Sequence, residues 1–340
     1  MTPNVILPLL SSSLSFTFAA LVFAQWLRRR RAFQLVWSVG LLWYGISAGT
    51  EFLGSAIGWS EPLYRAWYLI GAFFVAAYLG MGTAYLLART RFGYFVSASL
   101  AFAGLITFAA GPKYDAITAA TAGFAVSLAA AVAVALATTF RRDLAAHVLF
   151  AFLLASSVAI AVLVLTAPIA APGYATDPHT GVPIGDAMPG YLRPLTIPFN
   201  VAGALSLVFG ALFSAYVFMP KSKVLRAKVR IPVLAQLYGL VAVVVNFIVS
   251  LPGAVVALFS GGLHSRVPAT ILIALGGFIP GVTSGLNRFG VTWSFFLGEF
   301  IGVLLIFVGF VVSTEVFGER VRLGMLDLKR SEPAPARQAS

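Results

Sequence analysis

Residues 116–139, AITAATAGFAVSLAAAVAVALATT, contain no charged side chain and are long enough to cross a lipid bilayer as one helix. A hydrocarbon core about 30 Å thick needs about 20 apolar residues in helical form. Lipid offers no hydrogen-bond partner to the backbone, so an isolated strand is not stable there. Similar runs recur along the 340-residue chain, which is 60% hydrophobic and only 10% charged. A soluble domain has about 25% charged residues, so the sequence predicts a membrane protein.

Ten apolar segments follow one another along the chain. They cover residues 5–27, 33–53, 64–87, 94–110, 116–139, 146–167, 195–219, 231–259, 268–287 and 291–313. Their apolar runs are continuous and do not alternate with polar residues, which argues against a membrane β-barrel. The sequence therefore predicts an all-α fold, a polytopic bundle of nine or ten transmembrane segments.

Basic residues indicate the orientation, because they favour the cytoplasmic side of a membrane. They concentrate in every second loop, at 28–31, Arg89, Arg91, Arg141, Arg142 and 221–230. The intervening loops carry only Arg65, Lys113 and Arg193. We therefore expect the N-terminus to lie outside a cell membrane of the bacterial inner-membrane type, with anionic lipids at the basic loops.

Four regions follow from this reading of the chain. Residues 1–219 form a seven-helix membrane unit, 220–230 a basic cytoplasmic loop, 231–313 a C-terminal three-segment unit and 314–340 a polar, partly disordered tail. Segment 231–259 is long and is interrupted by SLPG. Its proline either kinks one helix or splits the segment into a re-entrant pair, which leaves nine or ten crossings open.

Several cofactor classes are excluded by residue type. The chain has no cysteine, which removes disulfides, thiolate metal sites and cysteine-ligated clusters. All five lysines lie in loops or the tail, which argues against a retinal Schiff base, and no histidine belongs to the middle of a segment to hold haem. Asp177, His179 and Asp186 share an outer loop, but their spacing matches no metal template. We therefore expect no cofactor and no metal.

The net charge of +12 would suggest nucleic acid in a soluble protein. Here the basic residues sit at the ends of apolar runs, where they serve membrane topology, so we expect no nucleic-acid partner. A membrane-protein partner or a homo-oligomer is compatible with the sequence.

Glycine patterns predict tight helix packing. GISAG at 45–49 matches the G-x-S-x-G pattern of hydrolases, but it lies inside an apolar run without a strand or a nearby base. It is better interpreted as G-x-x-x-G, in which small residues let helices approach closely. Gly277, Gly281 and Gly285 repeat this spacing and predict a second packing face.

The stretch 49–69, GTEFLGSAIGWSEPLYRAWYL, places Glu51 and Arg65 at the outer ends of two adjoining segments. Their similar depth predicts either an ion pair that fixes the hairpin or a binding site for a polar ligand group, with Glu61 as a competitor for Arg65. The aromatic residues beside them are expected at the membrane interface, where tryptophan and tyrosine are enriched. These residues are Trp59, Tyr64, Trp67 and Tyr68.

The third segment has an aromatic face. Tyr64, Trp67, Phe74, Tyr78 and Met81 recur at helical spacing. This face forms either part of the core or the wall of a pocket for an aromatic or apolar ligand.

Glu299 is an acid inside an apolar segment. It lies about nine residues into the last segment, or about 14 Å at 1.5 Å per residue, near the middle of the bilayer. A charge there is costly, so the side chain should face the bundle or a watery cavity. Arg288 and Asn246 are its candidate partners. A proton, ion or ligand site and a structural hydrogen bond remain open as its roles.

These observations predict a non-catalytic multi-pass protein that handles or senses a small solute within the helix bundle. The candidate ligand-binding residues are Glu51, Arg65, Tyr64, Trp67, Tyr78, Glu299 and Asn246. The alternative is a scaffold or accessory subunit of a larger membrane complex. An enzyme acting on membrane lipids is disfavoured, because acidic metal-binding motifs are missing and the histidines are isolated.

Overall fold

The computed structural model describes most of the chain. The described residues are 2–169, 174, 176–177, 181–220, 222, 224–225, 232–260, 262–289, 291, 294–313, 322–323 and 326–327. Much of the predicted basic loop 220–230 and most of the predicted tail 314–340 lie outside them. Within them, nine helical stretches are long and apolar enough to cross a membrane. The predicted all-α, multi-pass membrane fold is confirmed.

Twelve helices form the described fold. They are α1 (Pro3–Arg29), α2 (Ala32–Ile57), α3 (Glu61–Leu69), α4 (Val75–Leu86), α5 (Phe92–Ala110), α6 (Ile117–Phe140), α7 (Arg142–Thr166), α8 (Leu192–Ile197), α9 (Gly203–Phe218), α10 (Pro232–Phe259), α11 (Arg266–Arg288) and α12 (Phe295–Val312). Two short 3₁₀ turns, Pro112–Tyr114 and Gly185–Ala187, lie in loops. The only strands among the described residues, Arg322–Leu323 and Leu326–Asp327, pair antiparallel.

Helix α2 crosses the bundle although it is not among the nine apolar stretches. It buries polar side chains that lower its hydropathy, including Gln34, Ser38, Thr50 and Glu51. Such residues are rarely buried in proteins unless they have partners or a function. Helix α2 is therefore an internal helix with a polar face, and each of the ten predicted segments contains a helix.

Two π-helical turns interrupt the third and seventh predicted segments. Ile70–Phe74 joins α3 to α4, and Pro198–Ala202 joins α8 to α9. The two turns are neighbours, because the Phe73 and Phe199 rings lie 5.3 Å apart. The amide of Asn200 donates a 2.7 Å hydrogen bond to the Ala72 carbonyl. This bond supplies a partner to a backbone group where the helix is irregular.

The chain divides into two compact units. Unit 1 contains Met1–Gly210 and Ala274–Ile306, and unit 2 contains Ala211–Ile273 and Phe307–Ser340. In unit 1, Gly80 and Gly203 meet backbone to backbone, since a Cβ at Gly80 would lie 2.4 Å from the Gly203 oxygen. In unit 2, buried Ala215, Met219, Ala254 and Val267 form a small core.

The predicted glycine packing is correct for one motif and wrong for most of the other. In GISAG, a Cβ at Gly45 would lie 2.9 Å from the Phe16 ring of α1, so this motif packs tightly. In α11, Gly281 and Gly285 have nothing within 4 Å of such a Cβ. The close contact of α11 with α12 involves a different glycine instead, because a Cβ at Gly276 would lie 2.6 Å from the Gly302 oxygen.

Helix α10 is one continuous helix through Pro252, so of the two alternatives the single helix is correct and the re-entrant pair is wrong. The end of α9 lies beside the start of α11. The Phe218 and His264 rings are 4.9 Å apart, and the Arg266 guanidinium lies 4.5 Å from the Phe218 ring centroid. Within unit 2, the chain therefore returns after α10 to the place where α9 ends, and this stretch adds no net crossing.

The connection between α11 and α12 lies at the same end of unit 1 as two loops that the sequence predicts to be outside. The Lys113 ammonium, in an outer loop, is 5.6 Å from the Phe289 ring centroid. Val182 of another outer loop packs with Phe295 and Phe296 at the start of α12. If the N-terminus lies outside, as the basic loops predict, nine net crossings lead us to expect the end of α12 on the cytoplasmic side.

Cysteine labelling tests this topology, because the chain has no cysteine of its own. On intact cells a membrane-impermeant maleimide should label Phe289→Cys as strongly as the outer-loop control Lys113→Cys. Ser313→Cys should stay unlabelled until the cells are opened, like the inner-loop control Arg89→Cys. Labelling of Ser313→Cys from outside would contradict nine net crossings.

Candidate functional site

Glu51 is a fully buried acid on the inner face of α2, with 0% of its surface exposed. Ala48 and Tyr44, one and two turns earlier, are buried on the same face, as helical spacing requires. The indole Nε1–H of Trp67 donates a 2.9 Å hydrogen bond to Glu51 Oε1. The second carboxyl oxygen, Oε2, has no hydrogen-bond donor among the described residues. Half of this buried carboxyl is therefore unsatisfied.

Glu299 of α12 lies against the same face of α2. The Tyr44 hydroxyl donates a 2.7 Å hydrogen bond to the backbone oxygen of Glu299. The side chain of Glu299 is a hydrogen-bonding neighbour of the Glu51 carboxyl. Glu299 is only partly buried, whereas Glu51 has no exposed surface. The sequence suggested two separate acidic sites, and the structure brings them together as one carboxyl pair.

The carboxyl pair has no cationic partner in the described part of the chain. The salt bridges there join Arg65 to Glu61 and Arg193 to Asp186. The side chain of Arg288, a predicted partner of Glu299, lies outside the described residues. Carboxylates in a membrane interior are costly unless a counter-charge or proton compensates them. The pair is therefore suited to hold a positively charged species.

The predicted ion pair between Glu51 and Arg65 is wrong. Arg65 binds Glu61, one helical turn earlier, with an Nη2–Oε1 distance of 2.6 Å, and its Nη1 donates to the Val164 carbonyl at 2.6 Å. Glu61 lies within easy reach at spacing i, i+4, whereas Glu51 points into the bundle. Arg65 thus ties α3 to the end of α7 and leaves Glu51 to Trp67.

Asn246 is not bonded to Glu299. Its Oδ1 accepts hydrogen bonds from the backbone N–H groups of Val224 and Leu225 at 2.9 and 3.1 Å. Ser250, one turn further along α10, accepts a 2.9 Å hydrogen bond from the Ser222 N–H. These bonds hold the chain before α10 against the helix and occupy the Asn246 side chain.

The aromatic residues of 59–68 form an inward cluster and not an interfacial belt. Trp59, Tyr64 and Trp67 have ring centroids 5.4–6.0 Å apart. Tyr64 is fully buried, and its hydroxyl donates to the Ile184 carbonyl of the outer loop. Trp59 lies on Gly54, where a Cβ would be only 2.3 Å from the indole. The cluster fixes the position of Trp67 and thereby the hydrogen bond to Glu51.

Tyr78 also belongs to the interior, as the aromatic-face prediction allowed. Its hydroxyl lies 3.4 Å from Ser157 Oγ, and its ring lies 6.3 Å from that of Trp43. Tyr78 joins α4 to α7 and α2, and no bond connects it to the carboxyl pair.

Several buried polar atoms of unit 1 have no hydrogen-bond partner among the described residues, and Glu51 Oε2 is one of them. Within the described residues they belong to Ser11, Ser15, Gln34, Trp43, Glu51, Ser55, Asn287 and Ser294. All of them lie on α1, on α2 or at the connection between α11 and α12. Buried polar atoms without protein partners require water or a ligand.

A separate cavity of about 240 Å³ lies among α4–α9. Its walls are apolar except for the hydroxyls of Ser127, Ser156 and Ser206. An apolar cavity of about 150 Å³ holds benzene, so this one is large enough for an apolar molecule and lacks any charge for an ionic one. Met81 lines it, whereas the predicted ligand residues Tyr64, Trp67 and Tyr78 do not.

The outer loop gives no support for a metal site. Asp186 pairs with Arg193, and His179 lies outside the described residues. No group of three metal-ligating side chains occurs in the part of the chain that the structure describes.

No known family model, curated protein or solved structure matches the chain. The function must therefore be argued from the site alone.

Replacing the donor to Glu51 tests whether this hydrogen bond matters. Trp67→Phe removes the donor to Glu51 Oε1, and Oε2 has no donor among the described residues. The substitution should therefore destabilise the protein by about 1–3 kcal/mol. Glu61→Gln, which breaks the exposed ion pair to Arg65, should cost at most about 1 kcal/mol. Thermal unfolding in one detergent measures both, and equal losses would contradict the assigned importance of the Trp67–Glu51 bond.

Proposed function

We propose that this multi-pass membrane protein binds a small cationic solute inside its bundle and carries or senses it without catalysing a reaction. The observation that supports the proposal is the contact between Glu51 and Glu299, two acids without a basic partner among the described residues. The basic loops support a location in a cell membrane of the bacterial inner-membrane type.

Electrostatics favours a cation at this site over a neutral or anionic solute. Two neighbouring carboxyls repel an anion, and a neutral solute leaves their charge uncompensated. A cation compensates that charge, and its attraction is strong where water is scarce. Trp67, which bonds to Glu51, and Tyr44, which bonds to the Glu299 backbone, are aromatic residues, and aromatic rings also attract cations.

The geometry does not support catalysis. A nucleophile needs a base within hydrogen-bonding reach. His147 hydrogen-bonds with Tyr85, and His264 lies between α10 and α11, so neither has a bond to the carboxyl pair. A non-catalytic role fits these contacts best.

A cation screen on the purified protein tests the proposal. Sodium, potassium, lithium, methylammonium and guanidinium chlorides are added at equal ionic strength while thermal unfolding is followed. At least one cation should raise the melting temperature of the wild type with its concentration, because a ligand stabilises the state that binds it. The shift should vanish in Glu51→Gln and Glu299→Gln and persist in Asp143→Asn, an exposed control acid. No shift, or an equal shift in all variants, would contradict a cation site at the pair.

The alternative role as a scaffold or accessory subunit has one observation in its favour. Helix α7 has only 17% of its apolar span buried within the protein, which leaves a wide face for lipid or for another subunit. Extraction in a mild detergent separates the two roles. Solute binding predicts that the protein is functional without a co-purifying partner, whereas a stoichiometric partner held against α7 would favour the scaffold.

A further inference from the structure

We infer that Glu51 and Glu299 hold one proton between them in the solute-free protein, and that this proton leaves when a cation binds. The displacement by a cation rests on the proposed function. The sharing of one proton rests on the contacts of the two side chains and stands without it.

The shared proton follows from the hydrogen bonding of the two carboxyl groups. An ionised carboxyl group has acceptor atoms only, so two ionised groups cannot bond to each other. Glu51 and Glu299 are nevertheless neighbours at hydrogen-bonding range, and Glu51 Oε2 finds no donor among the described residues. A proton on either carboxyl makes that group a donor to the other. One proton therefore turns a repulsive contact into a hydrogen bond, as in other close carboxyl pairs.

The pair holds one proton and not two, because Trp67 stabilises the charge that remains on Glu51. The Trp67 indole donates to Glu51 at 2.9 Å, and such a bond is stronger when the acceptor is charged. The remaining negative charge is therefore stabilised at Glu51 by a fixed donor. A second proton would remove this charge-assisted bond and would leave the pair without attraction for a cation.

Both acids could stay ionised only if another ionisable group beside them supplied a positive charge. Helix α2 contributes Tyr44, whose hydroxyl is committed to the Glu299 backbone oxygen. Helix α3 carries Glu61 and Arg65, which bind each other, and α1 has its arginines only at its far end, from residue 28 onwards. The described residues thus supply no cation that would keep both acids ionised.

The shared proton needs a route by which it exchanges with solvent. Glu299 keeps some exposed surface as a residue, although its carboxyl group is buried, whereas Glu51 has none, so we expect exchange to take place on the Glu299 side. Ser294, a turn before Glu299 on the outer side, and Asn287 at the end of α11 have unpaired buried polar atoms. Water bound by these atoms would lead from this end of the bundle toward Glu299, and we therefore expect protons to enter from there.

Infrared spectroscopy of the purified protein tests the shared proton. At about pH 7 exposed acids are ionised, so a carbonyl band of a protonated carboxyl reports a perturbed one. The wild type should show such a band, and it should shift in D₂O. Either Glu51→Gln or Glu299→Gln should remove the whole band, because the glutamine amide replaces the proton as donor to the remaining carboxylate. Asp143→Asn should leave the band unchanged.

Two results would overturn the shared proton. Absence of the band in the wild type would show that both acids are ionised, and this result does not depend on whether any variant folds. A band reduced by about half in each single variant would show two independently protonated acids. Circular dichroism and gel filtration confirm that the variants compared are folded.

Addition of the cations from the thermal screen separates this inference from the proposed function. Loss of the wild-type band with increasing cation concentration supports proton displacement. A band that persists at every concentration, while the melting temperature rises, would overturn the displacement and leave cation binding in place. If the band is present but no cation raises the melting temperature, the shared proton stands and the proposed function is contradicted.

Discussion

The contact between Glu51 and Glu299 is the constraint on which the account of this protein depends. In a membrane interior a charged group cannot be solvated by bulk water, so its neighbours must compensate it. The fold meets this demand in part. Trp67 supplies one donor to Glu51, and the aromatic cluster around it fixes the indole. The second oxygen of Glu51 is left without a donor among the described residues, and we propose that a proton or cation compensates it.

Helix α2 connects this local chemistry to the architecture. Its glycines let α1 approach closely, and Ser12 of α1 donates a 2.8 Å hydrogen bond to the Gly45 carbonyl. Its polar face is turned toward α12 and α3, which bring Glu299 and Trp67 to Glu51. The helix is too polar to qualify as a span by hydropathy, yet it lies within the bundle because its polar atoms face protein. The apolar cavity among α4–α9 has no charged side chain in its walls, so it suits an apolar molecule and not an ion.

The sequence was sufficient to predict the helices, because apolar length and the lack of alternation follow directly from the bilayer. It also identified Glu51 and Glu299 as unusual acids. It did not reveal that they meet, since nothing in a single chain relates position 51 to position 299. The predicted Glu51–Arg65 pair was wrong because depth alone cannot distinguish an inward from an outward side chain. The π-helical turns were also missed, because the Asn200–Ala72 bond that accompanies them joins distant parts of the chain.

A double-mutant cycle on the unfolding free energy tests the central contact most directly. The cycle compares Glu51→Gln, Glu299→Gln and the double variant with the wild type in one detergent. If the carboxyls are hydrogen-bonded neighbours, the two effects should be non-additive by at least about 0.5 kcal/mol. Effects that add within about 0.3 kcal/mol would mean that the acids do not interact, and would contradict the account.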